Sequence, residues 1–569
     1  MRAAPAGCAA PAAMLQVARW AVLTLNFTGP ADSPSQNAFL TLFNATFTPA
    51  SGESSLLVSG FFDGGTDYRI RFSPPEEGKW TFTTASTEPA LDHQHGELLA
   101  LPPAKGDHGP VASRGFGLYH ADGEPHFSVG TTSYQWAHME ASRQQETLRT
   151  LRNGAGQAFN KLRMTVFPKW YVYNHQNPVE MGTAFPIVPG STAANLTSWS
   201  CVGSKCPTMA GSFDLRRFNV SFFARFEALI AELRVLGVVA DLILFHPYDR
   251  GHWGFDCLGG SDPQTYDTSH DAFYLRYVAA RLAAFSNVWW SMANEWSFVQ
   301  CKSRGINSSH LQSPAPIWDE LFVTLAAADP YGRQKSIHNG NLLYNHSRPW
   351  ISHVSLQGEE SQTAQIRERY GKPVVWDEVK YEGDIPEQWG DLSGQKEAAR
   401  FWWGASLGVY VGHSETILRK GVANDAQPLW WAKGGTLVGE SPYRIEWFRR
   451  TWQKALVSMG LSFGELQPTS KVLPPALPGQ TPPANILSSS GGDFLYLHFA
   501  RIGTWRVPLQ PPGGSSGGWQ LCRLDYWGMK EECAKLASGA SNATISVPRL
   551  PFHVIIKQVG ESAETRRNY

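Results

Sequence analysis

Asn287-Val288-Trp289-Trp290-Ser291-Met292-Ala293-Asn294-Glu295-Trp296-Ser297-Phe298 carries an apolar run straight into an Asn-Glu pair. A run this short and this apolar reads as a strand buried on both faces, as in a parallel sheet. A carboxylate at its end costs several kcal/mol of desolvation unless partners or a reaction compensate. Glu295 is therefore a candidate general acid or base at the C-terminal mouth of a parallel barrel, or else a surface carboxylate just past a strand.

The rhythm around this stretch supports the first reading. After Gly115, apolar strands alternate with longer amphipathic segments, the signature of an α/β domain. Strands are expected at 126–133, 159–168, 238–248, 287–295, 335–339, 351–357, 373–378 and 408–414. Helical stretches fall at 143–153, 219–236, 270–285, 316–328, 361–370, 394–406 and 442–459. The pattern fits a (β/α)8 TIM barrel over 115–460, whose active site lies at the C-terminal ends of its strands. That rule selects Arg163, His246, Asn294 with Glu295, His338 with Asn339, Gln357, Glu378, and His413 with Glu415, in strand order from the second to the eighth. The long Pro-, Gly- and aromatic-rich connection 169–215 is expected to shape a substrate cleft.

Two β-rich segments flank the barrel. Residues 15–101 hold short strands separated by turn clusters such as Asp63-Gly64-Gly65, a small β-sandwich. A proline-rich strap, 466–484, precedes a second β-domain over 486–560. The Asp92-His93-Gln94-His95 patch reads as a solvated loop, and the spacing of His246, Asp249 and His252 matches no common metal site. No metal or organic cofactor is expected.

Composition narrows the partners. With 49 basic and 49 acidic residues and no dense basic run, nucleic acid is not an expected partner. The 22 tryptophans suit packing on sugar rings as well as a large core. Sequons at Asn26, Asn44, Asn195, Asn219, Asn307, Asn345 and Asn542 point to a secretory route. So do the cysteines: besides Cys8, they fall into three neighbourhoods, Cys201 with Cys206, Cys257 with Cys301, and Cys522 with Cys533, although six cysteines allow fifteen pairings. Residues 1–14 lack the continuous apolar core of a signal peptide, and no stretch is long enough to span a bilayer. A secreted protein is expected, its leader missing or unusual.

Two carboxylates ending the fourth and seventh strands would face each other across the barrel mouth. Retaining glycosidases need such a pair, one group protonating the leaving oxygen while the other attacks the anomeric carbon across about 5–5.5 Å. Glu295 and Glu378 are the candidates; strand alternation would turn Asp377 to the opposite face.

The motifs Ser291-Met292-Ala293-Asn294-Glu295-Trp296 and Lys372-Pro373-Val374-Val375-Trp376-Asp377-Glu378 resemble those of clan A glycoside hydrolases, particularly the apiosidase-like barrels and those assigned as endoglucanases. The resemblance extends to the leading segment, through Gly60-Phe61-Phe62-Asp63-Gly64 and Gly78-Lys79-Trp80-Thr81-Phe82, and to the closing β-domain. It implies Glu295 as acid/base, Glu378 as nucleophile, and Asn294 as partner of the sugar 2-hydroxyl.

Other residues take supporting roles in this reading. Arg163 beside Glu378 would hold that carboxylate ionised, while tryptophans around Glu295 would keep it protonated. His246 would bond Asn294 or the sugar, or be a satisfied core histidine. Trp430 or Trp431 would stack on the sugar, with His338, His413 and Tyr381 as further substrate contacts and Tyr134, Trp136 and Glu382 as second-rank lining. Glu415 rivals the catalytic pair, and binding a sugar hydroxyl is the preferred role. The expected activity is retaining hydrolysis of an oligo- or polysaccharide. The alternatives are a catalytically dead carbohydrate-binding barrel and a transglycosylase using the same site.

Overall fold

In the computed structural model, which describes residues 14–168, 185–189, 213–247, 269–298, 315–358, 360–418, 429–470, 472–473, 482–509 and 518–559, the quoted run forms the strand Val288–Ala293, every residue of it buried. The barrel strands, labelled in chain order, are β1 Val129–Thr132, β2 Lys161–Thr165, β3 Val239–Phe245, β4 Val288–Ala293, β5 Lys335–Ser336, β6 Val354–Gln357, β7 Val374–Glu378 and β8 Tyr410–His413. All pair in parallel, in the order β5-β4-β3-β2-β1-β8-β7-β6. An isolated parallel bridge between His338 and Ser355 joins the two ends of the sheet and brings it to a nearly closed barrel. Each strand lies inside its expected range.

Among the described residues the helices of eight or more residues are α1 Ala141–Arg152, α2 Val220–Val235, α3 Ser269–Leu282, α4 Ala315–Ala328, α5 Thr363–Tyr370, α6 Gly394–Ser406 and α7 Ser441–Met459, with a single helical turn at Trp430–Lys433. Local chemistry sets their ends. Asn219 caps α2 by accepting from the Phe222 amide, and Ser393 caps α6 by accepting from that of Lys396. Gly371 and Gly460 close α5 and α7 at φ 61° and 62°, left-handed conformations that favour glycine. Between β2 and α2, Ile187–Pro189 pairs antiparallel with Phe213–Phe218. The cleft-shaping role expected of 169–215 falls otherwise outside the described residues, as do Cys201, Cys206, Cys257, Cys301, Asp249, His252, and the sequons at Asn195 and Asn307.

An ionic layer, which the sequence reading did not anticipate, crosses the barrel interior. Lys161 Nζ lies 2.9 Å from Asp241 Oδ2 and donates to Asp377 Oδ1, while Ser355 Oγ donates to Asp377 Oδ2 at 2.5 Å. Lys161 and both aspartates are at most 2% exposed. Burial pushes the Asp377 carboxyl up, but Lys161 and Arg163 outweigh it and hold it well below the usual carboxylate range. Here strand alternation fails. The register slips between Leu356 and Gln357, so that Leu356 faces Trp376 but Gln357 faces Glu378. This bulge places both Asp377 and Glu378 inside the barrel, one against Lys161 and the other against Arg163 two residues on.

After the barrel, a six-stranded sheet runs Gln467–Pro468, Ala484–Ser488, Phe494–Phe499, Phe552–Val559, Gly518–Asp525, Lys530–Lys535 in spatial order, beside the pair Gly503–Pro508 and Asn542–Val547. Three of these strands were not foreseen: Gln467–Pro468, within the strap expected over 466–484, Ala484–Ser488 and Lys530–Lys535. Cys522 and Cys533, opposite each other in register, form a disulfide. Tyr496 donates to the Trp402 carbonyl of α6 at 3.0 Å and packs on Trp452 of α7 at 4.9 Å between ring centroids. Burying rings of this size contributes up to about 4–6 kcal/mol each.

By its internal contacts the chain divides into two units. The first comprises 1–109 with 276–286 and 325–332; the second comprises the remainder. The first unit holds a five-stranded sheet ordered Leu15–Ala18, His95–Leu101, Gly78–Ser86, Phe43–Pro49, Leu56–Ser59, and a three-stranded one ordered Leu23–Thr28, Asp67–Phe72, Phe61–Phe62. Its core gathers Phe43, Phe47, Tyr68, Phe72 and Trp80. His95, read as part of a loop, starts a strand. Arg281, fully buried, pairs with Asp63 at 2.7 Å and lies over the Phe61 ring, while Tyr277 donates to the Phe62 carbonyl at 3.0 Å.

Candidate active site

Five barrel strands, β1, β2, β4, β5 and β7, deliver a connected set of polar groups to the mouth of the barrel. Glu378 ends β7, and its Oε1 accepts from Tyr134 OH at 2.5 Å and from Arg163 Nη1 at 3.0 Å. The other end of the same guanidinium, Nη2, donates to Asn294 Oδ1 at 2.5 Å. Arg163 thus ties the end of β7 to the Asn-Glu pair that ends β4. His338, following β5, places Nε2 3.9 Å from Glu378 Oε1, and its amide and carbonyl bond Ala293 and Trp296 on either side of Asn294-Glu295.

Charge follows from this geometry. Burial pushes the Glu378 carboxyl up, but His338, Arg163 and the Tyr134 hydroxyl outweigh it and bring it below the ordinary glutamate value. His338 is itself pushed down to about 4, by burial and by Arg163. Near neutral pH it is therefore an uncharged ring, and Arg163 supplies the lasting positive charge. Burial, followed by the charge on Glu378, raises the Tyr134 and Tyr381 hydroxyls well above their ordinary value, so both stay protonated as donors. Tyr381 OH lies against Glu378 and helps hold it ionised, though without a hydrogen bond of good geometry.

Glu295 is half-buried and sits at φ 52°. Left-handed backbone is uncommon for a residue with a side chain and clusters at functional sites. Here it is enforced from both sides: the Asn294 amide donates to Phe245 O at 2.9 Å and the Trp296 amide to His338 O at 3.0 Å. Tyr134 is within electrostatic reach of both Glu295 and Glu378.

The remaining sequence candidates separate. Trp431 packs edge-on against Tyr134 at 5.7 Å and, tilted at 42°, on Trp389 at 4.9 Å, next to the Glu378 cluster. Trp430 instead donates its indole N–H to Thr131 at 2.8 Å. His413 also bonds Thr131, at 3.0 Å, and stacks on Phe159. Gly130 and Gly412 stand in the same β-ladder as inward-facing Lys161, so Thr131 and His413 beside them point to the helix side. The structure therefore brings neither Trp430 nor His413 to Glu378. His246, buried at the end of β3, directs Nε2 to the Phe167 carbonyl at 3.3 Å. The Glu415 carboxylate accepts from the Val438 and Gly439 amides at 2.7 and 2.9 Å. Trp136 is core, donating to Met164 Sδ.

A family model described as "Apiosidase-like, catalytic domain" matches residues 113–462. The chain belongs to this apiosidase-like family. It is a glycoside hydrolase on a TIM barrel, as the motifs around Glu295 and Glu378 imply. A second model, for a domain of unknown function (DUF5060), matches residues 16–87. Among solved structures, a provisionally assigned glycoside hydrolase from Bacteroides vulgatus ATCC 8482 is 29% identical, with a TM-score of 0.76, covering 96% of this chain and 100% of that one. A family 5 glycoside hydrolase from the same organism is 15% identical with a TM-score of 0.53, covering 81% and 97%, and shares the fold. No curated protein matches significantly. Among the described residues of this apiosidase-like chain, no helix is long and apolar enough to cross a membrane.

Proposed function

We propose that the chain is a retaining glycoside hydrolase acting on an oligo- or polysaccharide, with Glu378 as nucleophile and Glu295 as general acid/base. The observation that carries this reading is the grip on Glu378: a carboxylate only 12% exposed, kept ionised by Arg163 and by the Tyr134 hydroxyl, whose guanidinium partner also holds the residue before Glu295. In the first step the Glu378 carboxylate attacks the anomeric carbon while Glu295 gives its proton to the leaving oxygen. The glycosidic bond breaks and a glycosyl ester forms. In the second step Glu295, now a carboxylate, takes a proton from water, the water oxygen attacks the same carbon, and Glu378 leaves as carboxylate with net retention. In this reading Asn294, oriented by Arg163, bonds the sugar 2-hydroxyl, His338 and Tyr381 contact the ring, and Trp431 stacks beneath it.

The protein is proposed to be secreted and glycosylated, in three parts over 15–101, 115–460 and 486–560. Support comes from the sequons and from the disulfide between Cys522 and Cys533.

The test is hydrolysis of a panel of aryl β-glycosides, including an apioside, and of plant polysaccharides, by wild type, Glu295→Ala and Glu378→Ala with added azide. The expected result is an inactive Glu378→Ala that azide restores with an inverted glycosyl azide, and a Glu295→Ala that yields a retained one. Two fully active variants would overturn the assignment. A wild type that binds glycans but cleaves none would favour a binding protein.

A further inference from the structure

Three buried glutamates surround the catalytic elements, and each carboxylate is taken up by two backbone amides. Glu415, after β8, accepts from Val438 and Gly439. Glu382, four residues past Glu378, accepts from Glu440 at 2.8 Å and Ser441 at 2.9 Å. Glu397, in the first turn of α6, accepts from the Glu382 amide at 2.5 Å and that of Ser414 at 3.3 Å. Four consecutive amides, 438–441, therefore end on two glutamates, and a third glutamate joins the ends of β7 and β8. Close packing enforces this. A Cβ on Gly439 would stand 2.5 Å from Glu382 Oε2 and 2.6 Å from Glu415 Oε2, and one on Gly394 would stand 2.6 Å from Glu382 Oε1.

Carboxylates are an expensive way to tie down a loop. Desolvating each costs several kcal/mol before its hydrogen bonds compensate, and like charges gathered together add to the cost. Burial, and then Glu382, push the Glu397 carboxyl well above its ordinary range. What the three glutamates fix lies next to the chemistry. Tyr381 immediately precedes Glu382, is held by Trp389 O at 2.7 Å and the Leu392 amide at 3.1 Å, and turns its hydroxyl toward Glu378. Residues 438–441 close the loop that begins with Trp431, which packs on Trp389.

We infer that Glu382, Glu397 and Glu415 are positioning residues for the nucleophile: they fix Tyr381 against Glu378 and hold the Trp431 loop in register with it. This rests on Glu378 being the nucleophile. Besides Tyr381, Glu378 faces Tyr134, Arg163 and His338, and Tyr134 also feels Glu295 just past β4, so a displaced Tyr381 removes one of several influences rather than all.

The experiment is the acidic limb of the kcat/KM profile, read with whichever aryl glycoside the wild type cleaves, for Tyr381→Phe, Glu382→Gln, Glu415→Gln and Gly439→Ala. In Glu382→Gln an amide N–H2 meets a backbone N–H; in Gly439→Ala a methyl displaces both carboxylates. Both variants are expected to move the limb upward by about half a unit or more, in the direction of Tyr381→Phe, with kcat falling about tenfold per folded molecule. Thermal melting corrects for folded fraction, and if Glu382→Gln does not fold, Glu415→Gln and Gly439→Ala decide the matter. Variants that melt lower yet keep the wild-type limb and kcat would overturn the inference. A fully active Glu378→Ala would instead overturn the functional reading on which it rests.

Discussion

Replacing Lys161 with methionine leaves two aspartates inside the barrel with no cation between them. Lys161 is 1% exposed, and Asp241 and Asp377 are 1% and 2%. Deleting one partner of a buried ion pair costs about 3–5 kcal/mol. That corresponds to a rise of roughly two to three and a half powers of ten in the unfolded population. The pH dependence has a definite sign. In the wild type the Asp377 carboxyl lies below its unfolded value, so its contribution is present above about pH 4 and is lost as pH falls through the folded value. In Lys161→Met burial is no longer opposed by the lysine and pushes Asp377 up. The variant then gains relative stability as acid protonates it, and the gap from wild type narrows between about pH 7 and pH 4.5. Urea unfolding followed by tryptophan fluorescence and far-UV circular dichroism at both pH values measures this. Lys161→Met/Asp241→Asn/Asp377→Asn, with no buried charge left in the layer, should recover most of the loss. A cost below about 1 kcal/mol near pH 7, or a gap that widens on acidification, would refute the reasoning.

Tyr134→Phe removes the 2.5 Å donor to Glu378, so the acidic limb of kcat/KM should move up and kcat fall about 10- to 100-fold; an unchanged limb would show that Arg163 alone holds the carboxylate. Trp431→Ala should weaken binding of an aryl glycoside, whereas Trp430→Phe, which loses a bond to Thr131, should lower the melting temperature and leave KM alone; the reverse pattern in steady-state kinetics would exchange the two assignments. Cys533→Ala opens the loop of sequence separation 11 and should cost about 2–3 kcal/mol in unfolding of the closing β-sheet, with activity retained; loss of activity at full stability would contradict a bracing role.

Much of the barrel was legible because its signal is local. An apolar strand buried on both faces is a run of apolar residues, and strands such as β3 and β4 announced themselves that way, whereas β5 is only Lys335–Ser336 and was located by its apolar neighbour Ile337. Glu378 at the end of β7 and Glu295 just past β4 were legible as carboxylates following such runs. What stayed hidden depended on three dimensions. Asp377 was expected on the opposite face, and a single bulge, invisible in the sequence, turned it inward. Lys161 and Asp241 carried a readable trace, since a charge two residues before Arg163 in a buried strand needs a partner, but pairing them requires the register of β2 with β3. His413 and Trp430 were selected for ending a strand and for opening a loop, and strand parity sends His413 to the helices. Tyr134 ranked below them because nothing local says that its hydroxyl reaches across the barrel to Glu378. Glu382 and Glu415 look like site residues by position, yet their oxygens are engaged by the amides of 438–441, a segment more than twenty residues away in sequence.

The first unit is assembled from three separate lengths of chain, 1–109, 276–286 and 325–332. Asp63 comes from the first length and Arg281 from the second; Tyr331, from the third, accepts the Ser73 amide at 3.0 Å. Recombination that exchanged only the leading segment between relatives would carry the strands across and leave behind the residues that complete them. Inheritance of this unit is therefore tied to that of the chain that follows it. Chimaeras that survive should exchange Asp63 and Arg281 together or not at all, and the pair should behave in descent as one character rather than two.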